Sequence, residues 1–92
     1  MSDEVRWRRR PDVLWRRSLD AVVFLPNGVT EPQTLAGTGP EVWDLLAEPR
    51  TLDALASVLA TAHAAEPATV RADVAPILEQ LVELGAVEAI ER

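Results

Sequence analysis

The chain has 92 residues, with nine arginine or lysine residues against fifteen carboxylates, a formal net charge of -6, 48% hydrophobic and 4% aromatic residues, and no cysteine. That length permits one domain with one compact core and leaves little for a separate deep catalytic cleft, while the hydrophobic share excludes a disordered chain and the missing cysteine excludes disulfides and thiolate metal sites. The charge is uneven: residues 1–20 hold six arginines and net +2, whereas residues 21–92 net -8. An acidic body repels phosphate, so binding to nucleic acid would have to rest on the arginine-rich start alone. No apolar run approaches the roughly 18 residues of a membrane span, and no signal-peptide core follows the first arginines, so a cytoplasmic protein without membrane contact is expected.

Residues 1–10 lack sustained periodicity and end at Pro11, which predicts a mobile arginine-rich arm over residues 1–12 ahead of a domain spanning 13–92. The stretch VLWRRSLDAVVFL, Val13 to Leu25, alternates and is rich in β-branched and aromatic residues, predicting a hairpin that reverses near Asp20 and Ala21. Pro26, Asn27 and Gly28 mark a loop, and Pro32, which has no amide hydrogen for a ladder, restricts the third strand to about Gln33–Ala36. Gly37 closes the sheet. Thr38 and Glu41 have the spacing of a capping box with Pro40 between them, so a first helix is expected to run to about Glu48, where Pro49 stops it.

Thr51 is placed to cap a second helix carrying Leu52, Leu55, Val58 and Leu59 at helical spacing and fading near His63 to Ala65. Pro67 opens a third helix reaching about Leu84, with Gly85 as its C-terminal cap. On that helix Val70, Val74, Ile77, Leu81 and Leu84 form a core stripe, and Ala75, Leu78 and Val82 widen it to about half the circumference. The extra width reads either as deep packing or as one wall of a groove open to a ligand. Pro76 falls on the polar side, where it frees the carbonyl of Ala72 and favours a kink.

Residues that carry chemistry are sparse. His63 is the sole histidine and has no partners at metal-ligand spacing, so a surface position is expected and no metal site or cofactor is predicted. Asp44, Glu48, Asp73, Glu79 and Glu83 occupy polar helix faces, and Gly37 and Gly39 lack the lysine and spacing of a phosphate loop. The chain is therefore read as a non-enzyme. VRWRRRP could touch nucleic acid or an acidic protein, although a solubilising tail is the commoner meaning of such a run.

The order of elements predicts an α+β fold like a winged helix-turn-helix, with a three-stranded antiparallel sheet followed by three helices. A DNA-binding regulator built on that shape would carry a basic recognition helix, yet residues 51–63 contain no arginine or lysine. The Thr38-Gly39 turn before Trp43-Asp44-Leu45-Leu46, the Pro49-Arg50-Thr51 junction, and Ala72-Asp73-Val74 ahead of Leu78, Leu81 and Gly85 resemble the PqqD-like family over roughly Val13 to Glu88. These are the peptide-binding domains called RiPP recognition elements. The resemblance implies that the leader of a ribosomally synthesised, post-translationally modified peptide precursor adds a strand beside strand three and lies against helix three. A separate enzyme would then modify the rest of the precursor.

Joined to the helical pattern, it points to a peptide site of Gln33, Thr34, Leu35 and Ala36 with Ala75, Leu78 and Val82. Arg71 would be available to an acidic leader residue. The family commonly has Leu-Asn where this chain has Leu35-Ala36. The expected assembly is a monomer or weak homodimer.

Overall fold

The computed structural model describes residues 5–26 and 30–91. The loop expected at Asn27 and Gly28 lies outside the described residues. Among the described residues nine elements follow in chain order: β1 Val5–Arg9, β2 Leu14–Ser18, β3 Ala21–Leu25, β4 Gln33–Leu35, α1 Gly39–Leu45, β5 Arg50–Thr51, α2 Leu52–His63, α3 Pro67–Glu83 and β6 Val87–Glu91. They make two antiparallel three-stranded sheets, ordered β2-β3-β4 and β5-β1-β6, and three helices.

The hairpin forms where alternation called for it. Leu14 pairs with Leu25 and Ser18 with Ala21, and β4 joins the other side of β3 through Val22 to Leu35 and Phe24 to Gln33. The reversal sits one residue earlier than expected, with Leu19 at φ 58, a backbone region that favours glycine or asparagine. Val22 and Phe24 point into the core while Val23 and Leu25 are half-buried.

The described part of the expected arm is a strand. Val5–Arg9 pairs along its whole length with Val87–Glu91 and, through Arg6 and Trp7, with Arg50–Thr51. Val5, Trp7 and Arg9 are half-buried and Arg6 and Arg8 exposed, so the run read as charge is an alternating strand whose arginines share it with Val5 and Trp7. Arg9 N–H donates to Leu46 C=O at 3.0 Å, and Arg10 N–H to Ala86 C=O at 2.9 Å, tying this strand to the end of α1 and the start of β6.

The capping box at Thr38 does not form. Thr38 already has helical dihedrals (φ -80, ψ -14) and its side chain makes no cap bond. The helix ends at Leu45, three residues short of expectation, and Arg50 Nε donates to Leu45 C=O at 2.6 Å to satisfy one of its last carbonyls. Thr51 does cap α2, its Oγ1 accepting from Ala54 N–H at 3.0 Å. The end of α3 is a Schellman motif: Gly85 at φ 78 donates to Val82 C=O and Ala86 to Leu81 C=O, each at 3.0 Å. Pro76 lies within the continuous helix α3, on its exposed side.

The core joins all layers. Val22 and Phe24 from β3, Val42 and Trp43 from α1, Leu55 and Leu59 from α2, and Val74, Leu78 and Leu81 from α3 are each at most 2% exposed. Leu81→Ala is expected to lower the free energy of unfolding by about 2–5 kcal/mol. Val82→Asp, at a side chain 40% exposed, should change it by less than about 0.5 kcal/mol. Both are read from denaturant midpoints at constant slope. Ala64 ends α2 in the left-handed region (φ 52, ψ 46), where a Cβ is strained. Ala64→Gly should therefore raise stability by about 1 kcal/mol in the same measurement.

Candidate functional site: two shoulders of helix α3

Helix α3 buries the centre of its stripe and leaves a hollow on either side. One hollow, about 200 Å³, lies between β4 and α3 and is lined by Gln33, Thr34 and Leu35 of the strand, Ala36 after it, Ile77, Gln80 and Leu81 of the helix, Leu84 at its end, and Phe24 and Gly39. The other, about 430 Å³, lies on the opposite shoulder and is lined by Ala75, Leu78, Glu79, Val82 and Glu83 of α3 with Trp7 of β1 and Leu52 of α2.

The residues singled out from sequence are thereby divided. Gln33–Ala36 stand beside Ile77, Gln80 and Leu84. Ala75, Leu78 and Val82 line the second hollow, and none of them lines the one beside β4. Leu78 is in any case 2% exposed and belongs to the core. Arg71 is exposed and its Nε donates to Asp53 Oδ1 of α2 at 2.7 Å. Helical spacing marks both shoulders of the apolar stripe alike. Ile77 and Leu84, assigned from helical spacing to the core stripe, are half-buried and line the hollow beside β4, while Leu78, assigned to the flank, is core, because the packing centres the helix on Val74, Leu78 and Leu81.

The two hollows differ in what their strand can offer. β4 is the edge of its sheet, so one side of its backbone is unpaired among the described residues. Trp7 belongs to the middle strand of β5-β1-β6, and Arg6 and Trp7 are paired on both sides. The larger hollow therefore has no free backbone to receive an added strand. The smaller one does, and its ten lining residues include no charge.

The Thr38-Gly39 turn sets the distance between β4 and α1. Gly37 takes φ 63, Gly39 N–H closes the turn on Ala36 C=O at 3.1 Å, and a Cβ on Gly39 would stand 3.1 Å from Leu35 Cβ. Elsewhere titratable groups form exposed pairs: His63 Nε2 lies 2.8 Å from a Glu41 carboxylate oxygen, joining the last turn of α2 to the first of α1. No group of three or more His, Cys, Asp or Glu among the described residues is placed to hold a metal, and no described helix is long and apolar enough to cross a membrane.

A winged α+β domain with a free strand edge beside an uncharged hollow is the class that the geometry defines. The family of coenzyme PQQ synthesis protein D (PqqD) matches residues 21–87, and the chain belongs to it. Among solved structures, TbiB1 in complex with the TbiA(beta) leader peptide is similar over 88% of this chain and 94% of that one, with a TM-score of 0.78 and 21% identity. The solution NMR structure of the PqqD truncation of Methylobacterium extorquens PqqCD is similar over 90% of this chain and 88% of that one, with a TM-score of 0.74 and 24% identity. It represents a functional and stand-alone ribosomally synthesized and post-translational modified (RiPP) recognition element. Both likenesses establish the fold. No curated protein sequence matches.

Gly39→Ala is expected to push Leu35 outward and to lower stability by about 1–3 kcal/mol as an overpacked contact. Heteronuclear NMR should show the accompanying shifts at Gln33–Leu35 and not at Trp7.

Proposed function

We propose that this chain is a non-catalytic adaptor that binds the leader of a ribosomally synthesised, post-translationally modified peptide precursor and presents it to a separate modifying enzyme. The observation that carries this reading is the unpaired edge of β4 running beside an uncharged hollow in α3, in a member of the PqqD family. An extended peptide laid there gains main-chain hydrogen bonds from the edge, and its alternate side chains enter the space between Leu35 and the Ile77–Leu84 shoulder. TbiB1, which shares the fold, is a complex with a leader peptide.

β4 has three residues, so its backbone fixes direction and register with few bonds. Discrimination then falls to one or two apolar side chains of the leader. The exposed face of α2 carries Asp53, Ser57, Val58 and Thr61 and no arginine or lysine, which is the wrong chemistry for reading a duplex groove.

A precursor leader encoded beside this gene should be titrated by calorimetry against the wild type, Ile77→Glu and Val82→Asp at low and high salt. Ile77→Glu places a carboxylate against the bound peptide and is expected to cost at least about 2 kcal/mol of binding, since an unpaired charge is costly to bury. Val82→Asp should bind as the wild type, and affinity should change little with salt because no charge lines the hollow. Full binding by a folded Ile77→Glu, together with loss in Val82→Asp, would put the leader on the other shoulder.

A further inference from the structure

The sheet that offers β4 at one edge offers β2 at the other, and nothing derived so far uses it. All five residues of β2 are exposed. Trp15 is 42% and Leu14 71% exposed, and the turn that follows presents Leu19 at 95%. Beside this edge lies a hollow of about 270 Å³ whose walls include Arg8, Arg9, Arg10, Val13, Trp15 and Ala47.

The cations of this face are unequally engaged. Arg8 binds Glu88 at 2.6 Å, Arg10 reaches Asp12 at 3.3 Å, and Arg17 binds Asp44 at 2.5 Å. Arg9 is held differently: its guanidinium carbon stands 4.8 Å from the centre of the Trp15 ring and 5.4 Å from that of Trp43. Stacking fixes the plane of a guanidinium and leaves its N–H groups free. Among the described residues none of those groups has a hydrogen-bond partner. Burial lowers the Arg9 pKa from its ordinary value, and nearby Asp44 opposes this; a guanidinium stays protonated in proteins because its ordinary pKa is so high. Arg16, on the outer side of β2, has no ion-pair partner among the described residues either.

We infer that the β2 edge and the Arg9 hollow form a second docking surface, taking an extended, carboxylate-bearing segment of a partner protein. The β2 backbone, unpaired on one side among the described residues, receives the segment as an added strand, whose alternate carboxylates lie on the Trp15 side against the N–H groups of Arg9 and whose apolar side chains lie on the other side against Leu14. A second copy of the chain suits this surface poorly. A closed dimer through it would set arginine against arginine, and a contact between it and the acidic remainder of another copy would not close. A polyanion such as DNA would meet a protein of net charge -6 on a face where three of the arginines are already paired.

The test uses the full chain labelled with ¹⁵N and no leader, so its outcome is separate from that of the leader titration. The probes are the capped peptide Glu-Val-Glu-Val-Glu and its Gln-Val-Gln-Val-Gln counterpart. The acidic peptide should move the amides of Arg8–Arg10 and Leu14–Ser18 and the Trp15 indole N–H, and bind at least about tenfold more tightly than the glutamine peptide. Arg9→Gln should weaken it by about tenfold or more, whereas Arg16→Gln, on the other side of the strand, should change it by less than about threefold. The proposal is overturned if the acidic peptide does not bind, if its shifts fall at Gln33–Leu35 and Ile77, or if inorganic phosphate produces the same shifts at equal concentration. Tighter binding of a duplex oligonucleotide to the same residues, or self-association in sedimentation that Arg16→Glu abolishes, overturns it as well.

Discussion

The indole of Trp43 is the contact on which the arrangement of the molecule turns. It is wholly buried, stacked on Phe24 at 5.3 Å between centroids and met edge-on by Trp15 at 5.8 Å. Arg9 lies over its ring from the N-terminal strand. One side chain of α1 thus grips β3, β2 and β1 together, using three of the chain's four aromatic residues. Such pairs add about 0.5–1.5 kcal/mol each beyond the area they bury. Among the described residues the buried indole Nε1 has no acceptor, so the contacts seen at this residue are packing and ring electrostatics. Because β4 is bonded, among the described residues, only to β3, the clamp on Phe24 also sets where the free edge stands relative to α3.

Elements written in local signals were legible. The alternation of the hairpin, the Thr51 cap and the Gly85 terminus each depend on residues within a few positions of one another. The β5-β1-β6 sheet was not legible, because its ladder joins residues such as Arg8 and Glu88 that stand 80 positions apart. The β1 strand also hides its period among arginines: Val5, Trp7 and Arg9 turn inward, and a guanidinium that turns inward to stack on indole looks in sequence like one that turns out to water. Thr38 shows the converse. Its spacing to Glu41 fits a capping box, but the turn closed by Gly39 on Ala36 brings Thr38 itself into helical dihedrals, which removes the extended backbone that the cap needs.

The candidate site was half legible for a related reason. Pro32 limits the third strand to about Gln33–Ala36, of which Gln33–Leu35 is strand, the family resemblance sets a leader beside it, and the width of the apolar arc on α3 marks surplus surface. Which side of that arc faces β4 depends on how the helix is rolled. Val74, Leu78 and Leu81 form the buried centre, so Ile77 and Leu84 fall toward the strand and Ala75 and Val82 toward Trp7. At 100° per residue Ile77 and Leu84 lie about 140–180° around the helix from Ala75 and Val82, and a roll of that size would exchange the two shoulders. Nothing in an isolated helix sequence distinguishes them, because the second shoulder is covered in part by a strand from the far end of the chain.

Charge divides the surface along the same lines. The hollow beside β4 is lined without charge, the shoulder near Trp7 is edged by Glu79 and Glu83, and the face of β2 carries arginine beside tryptophan. A winged fold that reads DNA concentrates its cations on the second helix and the wing tip. Here the second helix has none, its N-terminal Asp53 is tied to Arg71, and the wing tip is Leu19. What the shape retains is sheet edges held at fixed distance from helices. An edge three residues long, as β4 is, gives too few backbone bonds to select a partner by itself, so selectivity has to come from the side chains beside it. On the proposed reading, discrimination falls to Ile77, Gln80 and Leu84 beside that edge and depends on the roll of α3, which the buried Val74, Leu78 and Leu81 hold in place.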